Sequence, residues 1–357
     1  MTCKDWGDTW LNEGMATFME MMYTLHSRGK LESLREFESY SQRYFNAAKT
    51  DFRPVATNFY SDSVGMGGWT TYMKGGTTLD SLRRQLGDDV FFQGLHRYLV
   101  RHQFSNVESN DLCEDLSEAS GIDLHPWFNQ WIYKPGHPVI AWTWTYDPSA
   151  KSVVVHVLQK QDTSRGIPVF DVPTHVALIG EHGLERAPIH LTSADQTFQI
   201  AAPLAPKAVI FDPDHEFVRE LHKQPWAPEE LPYVFLYAPN PIDMQSAMNT
   251  LLEAGPTDAT LRLIADRLRQ DTLPFPAIPD TSRLAKLGNK VLHDFFLAET
   301  RHPNYERRAN AAAGLAKLAS GPSDRRRLEQ LLGDDQPYQV VEAALRGLAA
   351  IDFASVK

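Results

Sequence analysis

The hydrophobic period of the chain changes twice, and those two changes limit its architecture more than any other feature. Up to about His137, apolar residues recur every three to four positions, as on helices; Leu31, Leu34, Phe37, Tyr40 and Tyr44 form one such row. From Pro138 the period falls to two. Val139 to Tyr146 reads as a strand, Asp147-Pro148-Ser149 as a turn, and Ser152 to Gln159 as the partner strand. Val169 to Ile179, Ala187 to Leu191, Gln196 to Ile200 and Ala208 to Phe211 add further short strands. Roughly seven strands in so short a span predict an all-β sandwich. Pro225 to Pro241 reads as a linker, and beyond it the helical period returns.

In that last part, Tyr305, Arg308, Ala311, Leu315 and Leu318 align with Tyr338, Val341, Ala344, Leu348 and Ile351, thirty-three residues on. The offset predicts stacked helical hairpins of the HEAT or armadillo kind. Met244 to Leu252 and Leu261 to Leu268 read as earlier helices of the same α-solenoid, with the proline-rich stretch Leu273 to Pro279 as a loop. The reading is therefore a multidomain α and β chain: residues 1–137 helical, 138–222 a β-sandwich and 223–357 a helical-repeat domain.

Composition narrows the function. With 357 residues the chain is long enough for two or three cores. A net charge of -10 argues against nucleic-acid binding, which needs a basic face. No apolar run approaches the ~20 residues of a membrane span. Cys3 and Cys113, the only cysteines, form neither a disulfide framework nor a cysteine metal site. Compartment stays open between cytoplasm and periplasm.

The chemistry gathers near the N-terminus. Leu11, Met15, Phe18, Met22 and Leu25 mark a helix running to about His26, with Asp8 or Thr9 as its cap. Glu13 and Glu20, seven residues apart, share nearly one face of it. Gly14 sits inside the helix, although glycine there costs about 1 kcal/mol relative to alanine, which suggests a close approach by another group. On pattern alone Glu13 reads equally well as a capping or surface glutamate. Further helices are expected from Lys30 to Ala48, Thr70 to Leu86, Val90 to His102, Asn110 or Asp111 to Ala119, and Trp127 to Tyr133.

Trp10-Leu11-Asn12-Glu13-Gly14-Met15-Ala16 resembles the WLNEGFA-type motif of the aminopeptidase N family, the gluzincin zinc metallopeptidases. Thr71-Tyr72-Met73-Lys74-Gly75 resembles that family's YxKG motif, fifty-nine residues from Glu13 to Tyr72. Leu82 to Phe92, Asp123 to Trp131 and Pro135-Gly136-His137-Pro138 resemble its surroundings. The resemblance is strong over residues 2–138 and architectural beyond. It implies the helical half of a thermolysin-like catalytic domain, Glu13 as a zinc ligand, and Tyr72 as the donor that binds the oxyanion of the tetrahedral intermediate. Peptides would be the substrates, losing their N-terminal residue. Glu20 is a candidate outer carboxylate that orients a zinc ligand.

The chain departs from that family where the other ligands should be. No His-Glu-x-x-His occurs in it, and only twelve residues precede Glu13. The missing histidines and general-base glutamate are expected ahead of Met1, so the chain resembles the C-terminal part of a larger peptidase. As given it is expected to bind no zinc and to hydrolyse nothing. The face around Trp10, Met15 and Phe18 is then expected to be exposed and to favour self-association. His125 and His137 read as structural or pocket-rim residues, having no third ligand nearby. A second class of function is a non-catalytic interaction scaffold built on the sandwich and helical repeats.

Overall fold

A computed structural model of the chain describes residues 1–62, 64–222, 226–270 and 281–355. It divides into two compact units, Met1–Pro225 and Trp226–Lys357.

The first unit opens with a two-residue strand, β1 (Thr2–Cys3), paired in parallel with β2 (Asn106–Val107). Helix α1 (Trp10–Arg28) buries Trp10, Leu11, Gly14, Thr17, Phe18 and Met21, a row at helical spacing. Gly29 stops it at φ 91°, a conformation that glycine adopts readily. Helix α2 (Lys30–Ala47) follows at once and buries Leu34, Phe37, Tyr44 and Phe45. Neither expected cap of α1 acts as one. Thr9 makes no side-chain capping bond, and the Asp8 carboxylate instead accepts from the Ser109 backbone N–H at 3.1 Å. That bond ties the start of α1 to a helix a hundred residues away.

An irregular segment leads to a π-helical turn, Thr70–Lys74, that runs into α3 (Gly75–Leu86). Helix α4 (Asp88–Arg101), α5 (Ser109–Ser120) and α6 (His125–Trp131) complete the helical part. Asp111 contributes to α5 from inside its first turn, accepting from Glu108 N–H at 2.8 Å. Trp127, Phe128 and Trp131 of α6 are buried, and each large side chain removed from water contributes roughly 1.5–3 kcal/mol.

Seven strands follow: β3 (Val139–Asp147), β4 (Ser152–Gln159), β5 (Val172–Ile179), β6 (Leu184–Leu191), β7 (Asp195–Ala201), β8 (Ala208–Phe211) and β9 (Glu220–His222). They form a sheet ordered β7-β4-β3-β9 and another ordered β6-β5-β8. Antiparallel register sets Trp142 opposite Val157 and Trp144 opposite Val155. Alternate residues Val153, Val155 and Val157 are buried, and the Trp142 and Phe211 rings stack across the sheets at 6.0 Å. The helices and both sheets share one core: Trp131 packs on Phe170 at 4.7 Å, and the Gln130 amide exchanges two hydrogen bonds with the Asp171 backbone, at 2.8 and 2.9 Å.

An ion cluster joins α2 to the loop after β8. Glu38 accepts from His215 and, at 2.8 Å, from Arg219. Burial opposes charge on Glu38, yet Arg219 and His215 beside it hold its carboxyl down to about 2.

In the second unit the described residues form helices and turns: α7 (Leu231–Tyr237), α8 (Pro241–Glu253), α9 (Asp258–Arg269), α10 (Ser282–Leu287), α11 (His293–Glu299), α12 (Tyr305–Leu318), α13 (Pro322–Gln330) and α14 (Tyr338–Ser355). Helix α7 falls where the sequence reads as a linker. Leu231, Val234 and Phe235 bury one face of it, and Pro232 sits in the first turn, where its missing N–H is harmless. Asn240, Thr257 and Asn304 cap α8, α9 and α12 through their side chains. The two aligned helices, α12 and α14, meet where Gly347 faces Ala316, so closely that a Cβ on Gly347 would lie 2.6 Å away. The expected loop from Leu273 to Pro279 lies outside the described residues. Among the described residues no helix is long and apolar enough to cross a membrane.

Candidate active site

Two helices touch backbone to backbone at the centre of the helical part. A Cβ on Gly14 of α1 would lie 3.1 Å from both the Gly75 Cα and the Thr71 carbonyl oxygen. One on Gly75 would lie 3.2 Å from the Gly14 Cα, and one on Gly76 would meet the Thr17 Cβ at 2.8 Å. Glycine at these positions lets the two elements approach until the residues beside the contact face each other. Those residues are Glu13 and Tyr72. The Tyr72 phenol lies beside the Glu13 carboxylate, which raises it above its ordinary value. At neutral pH Tyr72 therefore keeps its proton and is a donor. Glu13 is half-buried in the first turn of α1, where the unpaired N–H groups favour a carboxylate.

The turn that carries Tyr72 is built irregularly. Gly75 N–H donates to the Thr70 carbonyl, an i to i−5 bond that makes the turn a π-helix. Thr70, Thr71, Met73 and Lys74 are buried, which leaves Tyr72 as the residue of the turn that reaches solvent. Arg53 braces the entry: its Nη2 donates to Thr71 Oγ1 at 2.9 Å and to the Met66 carbonyl at 3.3 Å. Thr71 Oγ1 in turn donates to the Met66 carbonyl. Arg53 lies in an irregular stretch without periodicity, so nothing in the sequence pattern marks it as part of the site.

Glu20 is held by α2. Tyr40 Oη lies 3.1 Å from Glu20 Oε2 and 3.0 Å from Glu36 Oε1, so a single phenol proton serves two carboxylates. Burial and then Glu36 push the Tyr40 phenol well up. The Arg43 guanidinium sits 5.7 Å from the Tyr40 ring and 6.0 Å from that of Trp69. His125 is an exposed partner of Asp123 and Glu114. His137 is buried against Phe45, ring centroids 4.4 Å apart, with Nδ1 3.2 Å from the Tyr44 hydroxyl.

The apolar face expected to be open around Trp10, Met15 and Phe18 is closed. Trp10 and Phe18 are fully buried, the Trp10 indole donating to Ser109 Oγ at 2.7 Å, and Met15 packs partly against the same core. An apolar stripe shows that a helix is covered, but not on which side. Met19 and Tyr23, at 42% and 71% exposure, are the large apolar residues that α1 leaves in solvent.

Glu13 is one possible ligand for a metal ion. A catalytic zinc takes about three protein ligands, and among the described residues no group of three His, Cys, Asp or Glu side chains is arranged to hold an ion.

Residues 1–131 match the model of the peptidase family M1 domain. Aminopeptidase N of Lactococcus lactis is 34% identical over 156 residues, 40% of this chain and 17% of that protein. Probable aminopeptidase 1 of Sulfurisphaera tokodaii is 31% identical over 144 residues, 39% of this chain and 18% of that protein. The stretch in common is thus under a fifth of these relatives' length. Among solved structures, Legionella pneumophila aminopeptidase A in complex with aspartic acid aligns with 99% of this chain and 43% of its own, at a TM-score of 0.64 and 17% identity. That likeness is one of fold. Residues 1–131 are thus similar to the peptidase family M1 domain, and the chain is aminopeptidase-like over that stretch.

Proposed function

We propose that the chain supplies one wall of the active site of a zinc-dependent aminopeptidase, which removes the N-terminal residue of a peptide. The observation that carries this reading is the close approach of α1 and the π-turn at Gly14 and Gly75, which sets the Tyr72 phenol beside Glu13. Glu13 is the chain's one metal ligand in this reading, and Glu20 an outer carboxylate. Bound zinc would activate water and polarise the scissile carbonyl. These residues alone do not make a zinc site, so the chain by itself is expected to be zinc-free and inactive. Tyr72 contributes a directed donor. Its raised phenol stays protonated, so the hydroxyl would donate to a tetrahedral oxyanion that forms within reach. A donor of this type contributes about 3–4 kcal/mol to the transition state.

Residues 138–222 are read as a supporting β-sandwich and 223–357 as a helical-repeat domain. The two sheets with a shared core and the close α12–α14 pair support these assignments.

The test joins the full 357-residue chain behind the part of Lactococcus lactis aminopeptidase N that precedes its matched stretch, and assays aminoacyl-anilide hydrolysis. Tyr72→Phe should lower kcat by 10²–10³-fold with zinc content unchanged, and Glu13→Ala should lose the zinc. Full activity in Tyr72→Phe overturns the assignment. A folded, zinc-loaded fusion without turnover favours the scaffold reading.

A further inference from the structure

We propose that Lys74 is the positioning residue of Tyr72: its buried amine, tied to the Lys134 carbonyl, sets how far the π-turn carries the Tyr72 hydroxyl towards Glu13. The functional meaning rests on the reading of Tyr72 given above, whereas the tether itself does not.

Lys74 closes the π-turn two residues after Tyr72 and is completely buried. Its Nζ donates to the Lys134 carbonyl at 3.3 Å and lies 5.8 Å from the Tyr44 ring centre. Lys134 lies three residues after the end of α6, and Trp131 of that helix and Ile132 beyond it are locked in the core, so the carbonyl is a fixed point. A leucine or methionine would fill the same space without desolvating an amine, which is expensive when unpaired. What the amine adds is a directional bond between a turn with irregular hydrogen bonding and a rigid platform. Arg53 braces the entry of the turn through Met66 and Thr71; Lys74 braces its exit. Tyr72 lies between the two.

The charge around the amine fits this role. Among the described residues no carboxylate lies within ion-pair distance of it. The groups that face it are Arg53, whose Nε is 3.1 Å from Asp51, then Tyr44, and His137, whose Nε2 is 3.5 Å from Glu220. Burial, and then Arg53, push the amine down to about 7. Neutral or charged, it keeps an N–H for the carbonyl, so the tether persists through the titration.

The test uses the full chain with 3-fluorotyrosine at position 72. Lys74→Met should shift or split the fluorine resonance of residue 72 and speed amide exchange over residues 70–76 at least tenfold. A fluorotyrosine at Tyr305, in the other unit, should not respond. Lys74→Gln keeps an N–H donor and should restore part of the wild-type signal. A general packing role would lower the melting temperature without moving the residue-72 resonance of the folded protein, and that result overturns the proposal. Should Lys74→Met fail to fold, the unmodified chain decides: exchange over 70–76 at the rate of an unprotected amide also overturns it. A negative result here leaves the Tyr72→Phe kinetics intact, and inactive chemistry there leaves this tether intact, so the two failures are distinct.

Discussion

Gly14 and Gly75 meet without a side chain between them, each within 3.2 Å of where the other's Cβ would stand. That contact, rather than any single bond, determines the separation of Glu13 and Tyr72. Gly14→Ala should therefore push α1 away from the π-turn and destabilise the first unit by about 1–3 kcal/mol, although alanine is the better helix former. Urea unfolding followed by tryptophan fluorescence measures it. A stabilised Gly14→Ala would mean that the two backbones are not in contact.

Glu38 makes the first unit sensitive to acid. Its carboxyl, held at about 2 when folded against an ordinary 4.5, is depressed, so its contribution is complete above the unfolded value and fades as pH falls from 4.5 towards 2. The shift corresponds to on the order of 3 kcal/mol. Glu38→Gln should be markedly less stable than the parent at pH 7, and the gap should close by pH 2–3. Melting temperatures across that range check the sign.

Lys74 acts in the opposite direction. An amine at about 7 when folded and 10.5 when unfolded binds fewer protons in the native state, so the parent gains stability as pH rises between those values. Relative to Lys74→Met, which lacks the titration, the gain should approach on the order of 4 kcal/mol. A parent-minus-variant difference that stays flat from pH 7 to 10 would show that the amine is not desolvated.

In the second unit, Asn304 accepts from the Arg307 N–H at 2.9 Å and caps α12. Asn304→Ala should cost about 1 kcal/mol, read as an earlier unfolding transition of that unit while the first is unchanged. Differential scanning calorimetry on the full chain resolves the two.

Where alternation was strict and turn residues bounded it, the sequence was enough: β4 at Ser152–Gln159 and β8 at Ala208–Phe211 carry the limits read from the pattern, and α12 at Tyr305–Leu318 follows its apolar row. Helix α7 was hidden because its seven residues, with proline in the first turn, have too little sequence to display a period. The π-turn was hidden for a different reason. One extra residue in a helix leaves the surrounding spacing almost unchanged, and only the Gly75 to Thr70 bond reveals it. The glycine after Glu13 signalled a close approach; that its counterpart is Gly75 is a property of the packing. Arg53 carries no pattern, and Lys74, although it is the lysine of the Thr71–Gly75 motif, has no place in the hydrophobic period, since a buried cation runs against the reading on which that period depends.

The nearness of the Tyr72 phenol to the Glu13 carboxylate makes two recognition events interdependent. A cation that settles on Glu13 withdraws electron density from it and weakens it as an acceptor, which releases the phenol to seek another oxygen. An anion that captures the phenol leaves Glu13 a lone pair richer and more attractive to the cation. Each event favours the other by the same free energy, as reciprocity requires. Two ordinary side chains in contact are thus sufficient for cooperative capture of an ion pair, with no movement of the backbone.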